Sequence, residues 1–162
     1  MTTVEIRVRT AILADRDAIV GLIQALNTHE APIAGDRLTT RAAADAYCAA
    51  LHARIAQQDG RLLVADAQGR VVGVLGLVVQ DDPPFIREEV RRHAYVTDLV
   101  VAEGWRGQGI GRLLLTEAER VSREKGLKRL VIGVLAGNDR AARLYRGFGF
   151  APYAAALVKG LA

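Results

Sequence analysis

Little in this chain serves the chemistry of exported or metal-dependent proteins. It carries a single cysteine, Cys48, among 162 residues, so an internal disulfide is excluded. The surrounding Ala-rich helical pattern marks that thiol as structural rather than as a nucleophile. Three histidines, His29, His52 and His93, lie in separate segments without ligand spacing, and no metal site is predicted. A run of about 18 apolar residues, the length needed to span a membrane, is missing. Met1 to Arg7 shows no signal-peptide layout. Repeats, linkers and low-complexity segments are missing too. Together these absences predict one cytoplasmic domain over residues 1–162 with no membrane partner.

A basic stripe is also lacking. The formal charge is +4 and the isoelectric point about 9.6. Yet Arg120, Arg123, Lys125, Lys128 and Arg129 alternate with Glu117, Glu119 and Glu124, which describes a solvated helix face and argues against a nucleic-acid partner. A mild positive balance suits a small partner that carries several phosphate charges. With 51% hydrophobic and 25% charged residues, the chain is a folded globular domain with one core.

What is present reads as an alternation of strands and helices. Val4 to Arg9 alternates apolar with charged residues and forms a first strand. Ile19, Leu22, Ile23 and Leu26 mark a helix from about Asp15 to His29, and Glu30 to Asp36 forms a loop by its Pro and Gly. Thr39 or Thr40 caps a second helix that runs to Gly60. Residues 61–66 and 71–79 form a hairpin closed by the Gly-containing turn 67–70. Asp81-Asp82-Pro83-Pro84 breaks the sheet, and 85–93 is a charged excursion without an assignment. Residues 130–135 form a strand buried on both faces. Asn138 caps a helix ending at Gly147 to Gly149, and Phe150 onward is a last strand. The predicted order is β-α-α-β-β-β-α-β-α-β, an α/β fold built on a mixed sheet.

The remaining stretch, Tyr95 to Leu115, organises the others. A β-branched strand ending near Val101 runs through a loop with alternate glycines into a helix whose apolar residues are Ile110, Leu113, Leu114, Ala118 and Val121. Helix N-termini carry unpaired N–H groups, and glycines let an anion approach them. A P-loop needs Gly-Lys-Ser/Thr, whereas Gly111 is followed by Arg112 and Leu113. A dinucleotide fingerprint needs a third glycine where Arg112 stands. What fits is Arg-x-x-Gly-x-Gly, Arg106 to Gly111. This resembles the coenzyme A pyrophosphate loop of the GCN5-related N-acetyltransferase (GNAT) superfamily. A second stretch, Asn138-x-x-Ala141-x-x-Leu144-Tyr145-x-x-x-Gly149-Phe150, is similar to that family's later motif, and the element order is similar over nearly the whole chain. One departure stands at the end. Many relatives close with two strands where Ala151 to Ala162 suffices for one, leaving a sheet edge that predicts a homodimer.

The resemblance implies a fold, a cosubstrate and a reaction: direct acetyl transfer from acetyl-CoA to a primary amine. It implies that Arg106, Gly107, Gln108, Gly109, Ile110, Gly111 and Arg112 hold the pyrophosphate, and that backbone groups of Leu99, Val100 and Val101 hold the pantetheine arm and the acetyl oxygen. Asn138 matches an asparagine that contacts the cofactor, or is a plain N-cap. Tyr145 matches the tyrosine that protonates the departing thiolate, or packs through its ring. Asp98 is the best-placed carboxylate. It sits in a segment similar to the acidic stretch of diamine acetyltransferases, where it helps hold a cationic amine, or it is a satisfied polar residue in the sheet. Glu103 reads as a turn residue and Trp105 as packing beside the loop, while Glu30, Asp36, Asp81 and Asp82 are candidates for the acceptor cleft. A small-molecule amine is the leading acceptor. A relative using another acyl-CoA or acetylating a protein or peptide amine, and a non-catalytic acetyl-CoA-binding module, are the alternatives.

Overall fold

The computed structural model describes residues 4–161. Met1 to Thr3, the start of the segment read for a leader, lie outside them. Five strands form one sheet in chain order: β1 (Ile6–Thr10), β2 (Arg61–Ala67), β3 (Arg70–Asp81), β4 (Arg92–Val101) and β5 (Leu130–Ile132). β1 to β4 pair antiparallel, and β5 joins β4 in parallel. The crossover between β4 and β5 is α4 (Ile110–Glu124), as a parallel connection requires. Alternation along β2 sends Leu62 and Val64 to one face and Leu63 and Ala65 to the other. The first face is covered by α1 (Arg16–Ala34) and α2 (Arg41–Gln57) through Ile19, Ile23, Cys48 and Leu51. The second is covered by α4 through Ile110, Leu114, Leu115, Ala118 and Val121. Leu113, expected on that buried face, is 44% exposed, and Leu115 takes its place.

Local chemistry explains the boundaries. Thr40 caps α2 by accepting from the Ala43 amide at 3.2 Å. The β2–β3 turn places both central residues, Gln68 and Gly69, at positive φ, as a tight hairpin of right-handed twist demands. Asp66 closes it by accepting from the Gly69 amide at 2.6 Å. Asp15 ties the start of α1 to the sheet: Arg9 donates to Asp15 at 2.7 and 3.0 Å and to Asp66 at 2.8 Å.

Three expectations change. The predicted loop 30–36 is helical as far as Ala34, with Pro32 inside α1. Proline there removes a single N–H bond near the helix end, and the helix stops at left-handed Gly35 (φ 76°), whose amide donates to Ala31 at 2.9 Å. Strand 130–135 shrinks to the three partly buried residues of β5. The final strand is not formed, and residues 149–161 carry no regular secondary structure. Pro152 lacks an N–H for a ladder, Ala154 to Ala156 have low strand preference, and β5 offers a short edge. Leu157 and Val158 are 98% and 99% exposed. The unassigned excursion contains a one-turn helix, α3 (Glu88–Arg91).

Candidate active site

Two features of β4 build the site. The first is a register shift: Gly76 faces Asp98 and Leu77 faces Val96, so Thr97 is an extra residue, a β-bulge. A Cβ on Gly76 would stand 2.2 Å from Thr97 Oγ1, so glycine makes room for it. The bulge reverses the alternation. Ala94 and Val96 belong to the α4-side core, whereas Val100 belongs to the α1–α2 side. Asp98, two residues before Val100, is thereby turned toward α2, where the Tyr47 hydroxyl donates to its Oδ2 at 2.7 Å. The second feature is a splay. β5 pairs with β4 only over Ala94 to Val96, so beyond Val96 the strand edge has no ladder partner on that side among the described residues.

Into that opening runs the glycine loop. Gly107 and Gly109 have φ of 77° and 79°, and a Cβ on either would meet nothing within 4 Å. They leave an open cradle over the first turn of α4. The first intrahelical bond there is from the Leu113 amide to Gly109 at 3.0 Å, so the amides of Ile110, Gly111 and Arg112 have no intrahelical acceptor. Unpaired amides and the positive end of the helix dipole are a setting that could hold an anion such as a pyrophosphate.

Gly111 has a different task. A Cβ on it would fall 2.9 Å from Leu144 Cδ2, so its lack of a side chain lets α4 approach α5 (Asp139–Phe148).

A groove of about 330 Å³ collects Leu99, Val100, Val101, Arg106, Gly107, Gly109, Ile110, Gly111, Arg112, Asn138 and Tyr145. Gln108 stands outside its lining, and its side-chain amide reaches back to the Gly104 carbonyl at 3.4 Å. The two arginines are not loose charges. Arg106 Nε donates to Val101 O at 3.0 Å. Arg112 donates to Gly147 O at 2.8 Å and lies 5.6 Å over the Phe148 ring. Arg140 and His29 also line the groove. Sequence reasoning missed both, because an arginine in a first helical turn and a histidine on another helix carry no pattern pointing to one place. Asn138 Oδ1 caps α5 by accepting from the Ala141 amide at 3.2 Å while lining the groove.

A second cavity of about 640 Å³ adjoins the groove and shares Leu26, Leu99, Asn138, Ala141 and Tyr145 with it. Its charged residues are Glu30, Asp36 and Asp98 against Arg37. Arg37 pairs with Glu30 at 3.0 Å and with Asp36, which leaves Asp98 bonded only to a neutral hydroxyl. Thr97 Oγ1 is buried here without a partner among the described residues. Burial pushes the Asp98 carboxyl above its ordinary range, and the hydroxyls of Tyr47 and Thr97 hold it back in part. The Tyr145 phenol is pushed up to about 12, first by burial and then by the charges of Glu30 and Asp98. It therefore stays protonated at neutral pH and is a donor.

Asp81 and Asp82, expected near the cleft, are outside both cavities. Asp82 pairs with Arg129 and faces buried His93 at 3.5 Å, and Asp81 pairs with Arg92 at 3.6 Å. Their strand end lies at the far side of the β4–β5 ladder. Glu103 is exposed in the turn after β4, and Trp105 packs against the α4-side core. No group of metal-binding side chains occurs among the described residues, and no described helix is long and apolar enough to cross a membrane.

Known proteins resemble this chain in sequence and in fold. A Bacillus subtilis (strain 168) protein, provisionally named as a ribosomal protein bS18-alanine N-acetyltransferase, is 31% identical over 91 residues, 56% of this chain and 53% of that protein. The Bos taurus thialysine N-epsilon-acetyltransferase is 38% identical over 58 residues, 36% of this chain and 34% of that one. The chain thus spans about half the length, or less, of these curated relatives. The fold is shared with a crystal structure of a GCN5-related N-acetyltransferase from Ralstonia eutropha, at a TM-score of 0.74 and 23% identity, covering 97% of this chain and 99% of that one. Residues 23–150 match the Acetyltransferase (GNAT) family, a span holding the bulged strand, the glycine cradle and both helices around the groove, and the chain belongs to that family.

Proposed function

We propose that the protein is an acetyl-CoA-dependent N-acetyltransferase that moves the acetyl group directly to a primary amine of a small, cationic molecule. The observation that carries this reading is the meeting of two cavities at Tyr145 and Asn138, one floored by the glycine cradle and the other walled by Asp98. Bound acetyl-CoA supplies the thioester whose acetyl carbon forms the new C–N bond as its C–S bond breaks. The cradle amides and the α4 dipole hold phosphate charge, and the unpaired edge of β4 at Leu99 to Val101 offers backbone bonds to the rest of that molecule.

A primary amine of pKa near 10.4 needs about 4.6 kcal/mol to lose its proton at pH 7, so an acceptor for that proton is part of the chemistry. Asp98 takes this place, directly or through water, and draws the cation into the cavity. Tyr145, protonated and on the shared wall, donates to the sulfur as it gains charge. A phenol near 12 is a weaker acid than a thiol of about 8.5, so its contribution lies in the hydrogen bond to the thiolate and in passing on a proton that the amine side replaces. Three carboxylates against one guanidinium favour an acceptor with positive charge to spare. The open β5 edge supports a homodimer in which a second copy covers it.

The deciding experiment is a 5,5′-dithiobis(2-nitrobenzoate) assay for released CoA across diamines, amino sugars, monoamines and lysine or N-terminal peptides, paired with calorimetry of acetyl-CoA binding. Turnover of small diamines is expected. Turnover of peptides alone points to a protein amine as acceptor. Binding of acetyl-CoA without turnover of any amine points to a non-catalytic module.

A further inference from the structure

Tyr47 stands out among the cavity residues because it was invisible in the sequence and holds the one carboxylate there that has no cationic partner. We propose that Tyr47 is a positioning residue: its hydroxyl, carried across the acceptor cavity by α2, fixes one oxygen of Asp98 and leaves the other to receive the amine. The proposal rests on the reading of this cavity as the acceptor site.

Geometry supports it in three ways. The Tyr47 hydroxyl oxygen stands 2.7 Å from Asp98 Oδ2, the length of a well-formed O–H···O hydrogen bond. A carboxylate offers about four acceptor positions, and Tyr47 occupies one, so Asp98 is oriented without being used up. Tyr47 is 37% exposed and lines the cavity, which places it within reach of an entering molecule rather than in a packed core.

The charges around Asp98 come from several elements. Glu30 on α1 opposes its ionisation, whereas Arg54 on α2 favours it. Tyr145 on α5 and Cys48 on α2 feel its charge in return. Arg37 is occupied by Glu30 and Asp36. The hydroxyls of Tyr47 and the neighbouring Thr97 both favour the charged form, and of the two only Tyr47 reaches Asp98 with hydrogen-bond geometry among the described residues. Removing the Tyr47 hydroxyl withdraws a bond from the charged form of Asp98, so the carboxyl becomes harder to ionise. Activity that needs the carboxylate then disappears at a higher pH as the solution is acidified.

The test is Tyr47→Phe, which keeps the ring. The expected result is a kcat/KM for the amine lower by about tenfold, with its acid limb moved up by about one pH unit. The KM for acetyl-CoA and the melting temperature should stay close to the parent's. Carbon-13 NMR of the Asp98 carboxyl should show the same upward displacement without any turnover. In an Asp98→Asn background, Tyr47→Phe should add no further loss, because the tyrosine acts through the carboxylate. An unmoved acid limb and an unmoved Asp98 titration, in a parent enzyme that does turn over amines, overturn the proposal alone. So does a further tenfold loss in the Asp98→Asn background. A parent that acetylates no amine in the panel ends the acceptor reading, and this proposal with it.

Discussion

Gly111 and Leu144 are so close that a methyl group on the glycine would stand 2.9 Å from Leu144 Cδ2. This contact sorts the loop glycines into two kinds. Gly107 and Gly109 are required by left-handed backbone, and Gly111 by the approach of α5, whose Leu144 and Tyr145 wall the groove.

The two kinds of glycine respond differently to alanine. At Gly109 the cost is backbone strain of about 1–2 kcal/mol, visible as a lower melting temperature. At Gly111 the clash falls on the mobile end of Leu144, so stability changes less, but the displaced side chain enters the groove. Calorimetry should show acetyl-CoA binding weakened at least about threefold in both variants. Undiminished affinity in both would falsify the assignment of the loop to the cofactor.

Tyr145→Phe separates the acid from the packing residue. Removing the hydroxyl leaves the ring and its edge contact with Phe150, centroids 6.0 Å apart, in place, so stability should change little. Donation to a departing thiolate is worth about 10²–10⁴-fold. We expect kcat to fall at least about tenfold at unchanged melting temperature and acetyl-CoA affinity. A kcat within about twofold of the parent would return Tyr145 to a packing role.

Asp98→Asn keeps an oxygen for the Tyr47 hydroxyl and so preserves the wall of the cavity. The KM for a cationic amine should rise, or kcat at neutral pH fall, by about tenfold or more with acetyl-CoA binding intact. Parallel loss of folding and of cofactor binding would mark Asp98 as a sheet residue only.

The Arg9 cluster sets an acid limit to stability. The Arg9 guanidinium holds Asp15 and Asp66 below the usual carboxylate range. A depressed folded-state pKa contributes stability above the unfolded value, near 3.9, which is lost as pH falls through the folded one. Arg9→Met leaves Asp15, 6% exposed, without its partner and should cost about 2–4 kcal/mol at pH 7. The gap between parent and variant should narrow below about pH 4. Denaturant midpoints at pH 7 and pH 3 provide the comparison, and an equal gap at both would contradict the linkage.

A second copy of the chain is expected along the β5 edge. Light scattering over a wide concentration range should report a dimer, and a monomer throughout would remove that assembly.

Patterns confined to neighbouring residues were legible in the sequence. The Thr40 and Asn138 caps, the hairpin turn at Gln68 and Gly69, the amphipathic faces and the Arg-x-x-Gly-x-Gly loop depend on spacing within one element, and so did the order of nearly every element. Periodicity also implied a last strand after Phe150, but a strand needs a partner edge. The three residues of β5 and Pro152 withhold it. Pro32 read as a loop, yet a helix already held by the core can lose one N–H bond near its end. The site had to wait for tertiary structure. No local pattern announces that Thr97 is an extra residue in β4, since a bulge is defined by the strand opposite, where Gly76 leaves the room. That shift turns Asp98 toward α2 and gives it Tyr47, 51 positions away in the chain. The same is true of Gly111, whose need for glycine comes from Leu144 on another helix, and of Arg112, whose charge is engaged by Gly147 instead of standing free.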